Sequence, residues 1–295
     1  MKFDVPILRH IFSFADMETL TLTCRPASLM CLTITQEEVV TRIEGIIGWF
    51  ASDVKGMQNL MRQHSVFVGG SLALTLFSPV RFRPSNADLF VSVAGYMPVI
   101  HHLTTCELFH VVSVQSVSPA IAVPADAFAD ETVFAYGAGL LCIATLRRRN
   151  TIVHVLCTPN PPPGASTPNL DSLSLSWTTM LFNYVTADYA TCAYPAMTLM
   201  GRGLFHMERF LSGMPGTSSE HILNAYSERG FEFARHPSWW LPGPDYSCAR
   251  GWTCPFEVRR FGDGGGLTVP PCEGPVNAIG RSWRFGGVSP SVHDG

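Results

Sequence analysis

The residues whose spacing carries the most chemistry lie between Val66 and Val93. Gly69–Gly70–Ser71 separates a short apolar run, Val66–Val68, from Leu72–Phe77. A Gly-Ser turn at the start of a helix offers backbone N–H groups to a phosphate without side-chain interference. Next comes Asn86–Ala87–Asp88. Two acids spaced D-x-D on a strand share one face, because strand side chains alternate. With a third acid on a neighbouring strand they hold two Mg2+ ions for phosphoryl-type chemistry. Here the first acid position is the neutral amide Asn86, and only Asp88 remains. The strand suited to the third acid, Ile152–Cys157, carries His154 and no Asp or Glu. Imidazole is a poor substitute for an oxygen ligand to a hard cation, so His154 reads as a half-buried strand residue.

The elements that would position these residues follow from local pattern. Val66–Val68 and Asp88–Val93 predict strands, and Leu72–Phe77 predicts a short helix between them. Pro79 and Pro84 bracket the intervening loop. Ile7, Leu8, Ile11 and Phe12 recur at helical spacing, with Asp4 and Pro6 suited to the helix start. Residues 36–64 predict one helix, broken where Gly45, Gly48 and Gly56 weaken it. Tyr96–Leu103 predicts a helix. Thr132–Leu146 and Thr151–Thr158 predict an antiparallel hairpin, with Arg147–Asn150 as a solvated turn. Leu173–Asp188, Thr198–Leu211 and His221–Phe233 predict further helices. Phe256–Phe261 predicts an edge strand, and 159–170 a Pro- and Gly-rich loop.

Composition narrows the classes. Apolar residues make up 46% of the 295 and charged residues 15%, which describes a folded chain with an ample core. A net charge of −3 gives no electrostatic reason to expect nucleic acid. The longest apolar stretch, Val133–Leu146, is shorter than the roughly 20 residues of a membrane helix, so no membrane partner is expected. The nine cysteines form no C-x-x-C pair. Cys248, Cys254 and Cys272 with His236 are spaced too loosely for a zinc site. The thiols are expected to be reduced, and the protein intracellular, either cytoplasmic or nuclear. His101 and His102 are sequence neighbours and diverge on a helix, so they form no ligand pair. No metal ligand set emerges. Gly262–Gly266 lacks a following Lys-Ser or Lys-Thr and is no phosphate loop.

Two resemblances go further. Val5–Pro6, Ile7-Leu8-x-x-Ile11-Phe12, the acidic turn at Asp16–Glu18, and Thr23–Cys24–Arg25 resemble an F-box. The resemblance implies that Val5, Pro6, Leu8, Ile11 and Phe12, within residues 3–32, contact a Skp1-type adaptor.

The ordered set of stretches beyond it resembles a group of fungal proteins that join an F-box-like start to a nucleotidyltransferase-like fold. The stretches are Gly70 to Phe77 and Arg81 to Val91, then Ile152 to Val155 and Trp177 to Val185. Cys192 to Thr198, Glu228 to Phe231 and Gly262–Asp263 follow in the same order.

That resemblance implies an α+β fold. F-box-like helices over 1–35 precede a mixed sheet flanked by helices over 36–264, and an irregular Gly/Pro-rich tail covers 265–295. It places Gly70 and Ser71 at a phosphate, and Asn86 and Asp88 at the metal-ligand positions. Because Asn86 departs from the pattern, the expectation is a non-catalytic scaffold or substrate adaptor with no cofactor. The alternative is an active Mg2+-dependent nucleotidyltransferase that uses other carboxylates, such as Asp126, Asp130 or Glu131.

Overall fold

The computed structural model describes residues 5–24, 28–117, 139–161, 169–206, 216–240, 252, 254, 257–270 and 282–284. The chain opens with helices α1 (Val5–Phe14), α2 (Met17–Cys24), α3 (Leu29–Gly48) and α4 (Val54–His64). Strand β1 (Phe67–Gly69) runs directly into α5 (Gly70–Phe77), and β2 (Asn86–Ser92) into α6 (Val93–Thr105). Strands β3 (His110–Ser116), β4 (Cys142–Arg148) and β5 (Thr151–Thr158) follow, then β6 (Asn183–Val185) and β7 (Ala190–Cys192). The last described elements are α7 (Pro195–Thr198), β8 (Arg202–Leu204), α8 (Gly216–Glu228), β9 (Glu232–Ala234) and β10 (Leu267–Val269).

Eight strands form one mixed sheet in the order β10-β7-β6-β1-β2-β5-β4-β3. Only β2 and β5 run parallel within it; the other neighbours are antiparallel. Strands β8 and β9 form a separate parallel pair. The molecule is thus α+β, as expected, with a large mixed sheet and helices against it.

Strand alternation divides the sheet into two differently covered faces. Ala87, Leu89 and Val91 of β2, with Val153 and Val155 of β5, pack under helices through Ile43, Ile47, Met57 and Val99. Phe90 and Leu156, one residue out of phase, face the other way, toward Phe182, Tyr184, Phe261 and Trp283. Leu8 and Phe12 of α1 belong to the helical core, so α1 and α2 share it with the sheet. The boundary drawn at residue 35 falls inside α3, and β10 pairs with β7 from within the tail begun at 265.

The expected break in the 36–64 helix has a specific cause. Asp53 caps α4 by accepting from the Gly56 N–H at 2.9 Å. A Cβ on Gly56 would sit 2.3 Å from the Asp53 carboxylate. The freed N–H groups of Ser52 and Asp53 donate to the buried Glu107 carboxylate at 2.7 and 3.0 Å. Arg148 completes the junction, donating to Glu107 at 2.8 Å and to the Phe50 carbonyl at 2.8 Å. Arg148 therefore points inward from the hairpin whose turn was expected to be solvated.

The second face departs from the sequence pattern. Leu173–Asp188 is not a helix; it holds two 3₁₀ turns, Leu173–Leu175 and Thr179–Leu181, and then β6. Ser174 and Ser176 donate to the carbonyls of Asp171 and Leu173, at 2.7 and 2.8 Å. Thr179 accepts from the Leu204 N–H at 2.9 Å. Hydroxyls that bond the backbone locally compete with helix hydrogen bonds. Thr198–Leu211 is likewise not helical beyond α7: Gly201, at φ +71°, turns the chain into β8. A Cβ on Gly203 would lie 2.7 Å from both Met180 and Thr178. Residues 207–211 lie outside the described residues. Of the expected strand Phe256–Phe261, Phe256 lies outside the described residues, and the described part makes an isolated bridge, Arg259 with Trp283. The other expected elements appear with shifted ends where they are described; residues 132–138 of the expected hairpin strand and 162–168 of the expected loop lie outside the described residues. No helix among the described residues is long and apolar enough to cross a membrane.

Candidate functional site

Strand register assembles the site. Gly69 is opposite Asp88 across β1 and β2. Asp88 is opposite His154 across β2 and β5. Glycine turn, carboxylate and imidazole therefore lie in a row across three adjacent strands. The two glycines serve different needs. Gly70 has φ +64°, the left-handed region that glycine enters freely. A Cβ on Gly69 would fall 2.6 Å from the Phe90 ring. Ser71, in the first turn of α5, is buried.

The polar side chains converge. The Asn86 amide donates from Nδ2 to Asp88 Oδ1 at 2.5 Å. His154 Nδ1 lies 3.1 Å from the same Oδ1 and 3.3 Å from Asn86 Nδ2. The Ser85 hydroxyl donates to Asn86 Oδ1 at 2.8 Å and so turns the NH2 end of the amide toward Asp88. Asp88 is 7% exposed, and Asn86 and His154 are partly buried. A polar cleft of about 400 Å³ is lined by Trp49, Arg83, Pro84, Ser85, Asn150 and Thr151; of the residues bonded into the cluster only Ser85 reaches it.

The register sets Gly69, the residue before Gly70 and Ser71, opposite Asp88, and Asn86 bonds to Asp88. The position expected to carry a third acid is indeed adjacent, and it holds His154. Reading His154 as a half-buried strand residue missed its contact with Asp88. The parallel pairing of β2 with β5 supplies that contact, and no motif in either strand announces the pairing. His101 and His102 lie on α6, over the opposite face of the sheet. Cys248 and Cys272 lie outside the described residues, as do Asp126, Asp130 and Glu131. Among the described residues, no group of three or more His, Cys, Asp or Glu side chains is placed to hold a metal.

A second charged cluster lies near the C-terminal end of the described chain. The Arg259 guanidinium is 1% exposed. It donates to both Asp263 oxygens, at 2.7 and 2.9 Å, and to the Trp252 and Ala193 carbonyls, each at 2.6 Å. It also sits 4.5 Å from the Tyr194 ring centre. Burial opposes ionisation of Asp263, but the Arg259 hydrogen bonds and the Arg260 N–H outweigh it and hold the carboxyl below its ordinary range. Burial pushes the Tyr194 phenol up.

The N-terminal helix divides its apolar residues. Leu8 and Phe12 are buried against the core, whereas Val5, Ile7, Ile11 and Phe14 are exposed. Pro6 is exposed as well. Comparison with protein-family models, with curated proteins and with solved structures finds no match for this chain.

Proposed function

We propose that this is a non-catalytic interaction scaffold, built on a nucleotidyltransferase-like body whose two-metal site has been lost. The observation that carries the reading is the company of Asp88. Its Oδ1 is held by the Asn86 amide and faces His154, where a two-metal site needs further carboxylates. Two Mg2+ ions need several oxyanions between them, and most catalysis of phosphoryl-type transfer is charge stabilisation. One carboxylate beside an amide and an imidazole does not supply it. The Gly70–Ser71 turn keeps the backbone of a phosphate cradle without the metal that would charge it.

The scaffold reading assigns the partner surface to α1. Val5, Pro6 and Ile11 present an apolar face for a Skp1-type adaptor, while Leu8 and Phe12 hold the helix to its own core. Calorimetric titration with ATP, GTP, CTP and UTP, with and without Mg2+, tests the loss of the transferase site. No heat in either condition is expected; tight Mg2+-dependent binding of one nucleotide overturns the reading. Binding of purified Skp1 to the full chain tests the partner. Ile11→Asp is expected to abolish binding while leaving the fold intact. Leu8→Ala is expected to cost about 2–5 kcal/mol of stability through a core cavity. Failure of wild-type protein to bind Skp1 sinks the adaptor assignment.

A further inference from the structure

We propose that Cys142 and Cys157 form a reversible oxidation site, a thiol pair that a peroxide converts to a cross-strand disulfide. The proposal stands on strand register and burial, and it is independent of the scaffold reading.

Cys142 is the first residue of β4, and Cys157, one residue from the end of β5, is opposite it in the antiparallel register. Among the described residues this is the one place where register sets two cysteines against each other. Both thiols are free. They also share a face. Ala144 and Leu146 of β4, with Val153 and Val155 of β5, belong to the helical core. Strand alternation carries Cys142 and Cys157 to that same side. There the two thiols are in hydrogen-bonding contact. A buried cysteine with no such partner is an inert core residue; the cysteine opposite makes the difference.

The backbone suits a bond that opens again. Opposed residues on antiparallel strands stand about 4.5–5.5 Å apart at Cα, within the roughly 4.4–6.8 Å that a disulfide spans. Their Cβ atoms must still close by about 1 Å. The neighbouring pairs Ala144–Val155 and Leu146–Val153 resist that approach, because they are packed in the core. A disulfide held under such strain is readily reduced.

The two sulfurs differ, and the difference sets the order of steps. Cys142 is half-buried, whereas Cys157 is 3% exposed. Burial and the adjacent Cys142 push the Cys157 thiol up to about 12. Cys157 is therefore protonated at neutral pH and is not the first nucleophile. Cys142 meets the peroxide. Its sulfur attacks one peroxide oxygen, the O–O bond breaks, and the other oxygen leaves as water with the thiol proton. Cys142 is then a sulfenic acid. As a neutral group it no longer opposes ionisation of Cys157. The Cys157 sulfur attacks the Cys142 sulfur, the S–O bond breaks, and the hydroxyl leaves as water with the Cys157 proton. The two thiols together lose two electrons, and the peroxide is reduced to two waters. Cys157 is buried beside Tyr96 of α6, out of reach of another molecule's thiol, so the bond is intramolecular.

The test treats the purified, pre-reduced full chain with hydrogen peroxide. Remaining thiols are blocked with iodoacetamide in denaturant, and the cysteines are mapped by non-reducing peptide mass spectrometry. The expected result is a cross-linked peptide joining Cys142 to Cys157, which excess reduced glutathione reopens in the folded chain. The exposed Cys106 is the internal measure of oxidant dose. Cys157→Ser is expected to leave Cys142 as a sulfenic acid that dimedone labels several-fold more than in the wild type. Cys142→Ser is expected to leave Cys157 reduced. Alkylation of both Cys142 and Cys157 at a dose that fully oxidises Cys106 overturns the proposal, and this readout on the wild type needs no variant to fold. A cross-link from either residue to a different cysteine overturns it too. Equal dimedone labelling of wild type and Cys157→Ser removes Cys157 as the resolving thiol, and a bond that resists glutathione refutes reversibility.

Discussion

Arg259–Asp263 and Asn86–Asp88–His154 are both clusters of polar side chains against the same face of the sheet, and they are built differently. In the first, a fixed cation meets a carboxylate through two parallel hydrogen bonds, and backbone carbonyls take further guanidinium donors. An aromatic ring covers it. Opposite charges neutralise one another, so the cluster is complete without a ligand. In the second, a carboxylate oxygen is approached by an amide and an imidazole, neither of which carries a fixed positive charge. Its polar atoms converge on one point. The difference is between a carboxylate paired with a fixed cation and one held by an amide and an imidazole.

Breaking the first cluster is expected to have the largest effect. Arg259→Ala leaves Asp263 as an uncompensated buried charge, and about 3–5 kcal/mol of stability is expected to disappear in urea denaturation. A loss under about 1 kcal/mol would remove the contrast between the two clusters.

Next is the Glu107 junction between α3 and α4. Burial opposes its ionisation, but the Ser52 and Asp53 N–H groups, the Ser52 hydroxyl and Arg148 hold it below the ordinary range. Glu107→Ala is expected to cost about 2–3 kcal/mol, the scale of hydrogen bonds to a charged group.

Both carboxylates set a pH dependence. Because folding depresses the pKa of Glu107 and Asp263, their contribution is complete above the unfolded value near pH 4. It is lost as pH falls through the lower folded values. Acid titration followed by tryptophan fluorescence is expected to show stability falling below about pH 4, with a shallower fall in Glu107→Gln. An equally steep fall in that variant would exclude Glu107 from the acid transition.

The smallest effect is expected at the candidate site. Asp88→Asn keeps the shape and turns a charge-assisted hydrogen bond into a neutral one, a difference of about 1 kcal/mol. A loss as large as that of Arg259→Ala would make Asp88 a structural residue as well.

Legibility in the sequence follows the same division of the molecule. The helical side was readable because α3 and α4 carry apolar residues at helical spacing, α5 is a short apolar run after a glycine turn, and β2 and β5 are short runs rich in β-favouring residues. Gly70, Ser71, Asn86 and Asp88 could be placed because they belong to one short strand–turn–helix–strand unit. His154 could not, because its contact depends on pairing between strands far apart in sequence. Leu173–Asp188 misled because its apolar residues are buried from several sides at once. Periodicity cannot distinguish that pattern from a helix, and only the bonds of Ser174, Ser176 and Thr179 to backbone explain the outcome. Arg259 stood in a stretch without periodicity, and its pairing with Asp263 at i+4 arises in a turn rather than on a helix.

The most direct test compares wild-type protein with the double variant Asn86→Asp, His154→Asp in Mg2+-dependent nucleotide calorimetry. Those two substitutions put carboxylates at both positions where the nucleotidyltransferase resemblance expects them. The expected result is no Mg2+-dependent heat for the wild type and measurable heat for the variant with at least one nucleotide. Tight Mg2+-dependent binding by the wild type would show that one carboxylate, an amide and an imidazole suffice, and would contradict the loss of the two-metal site.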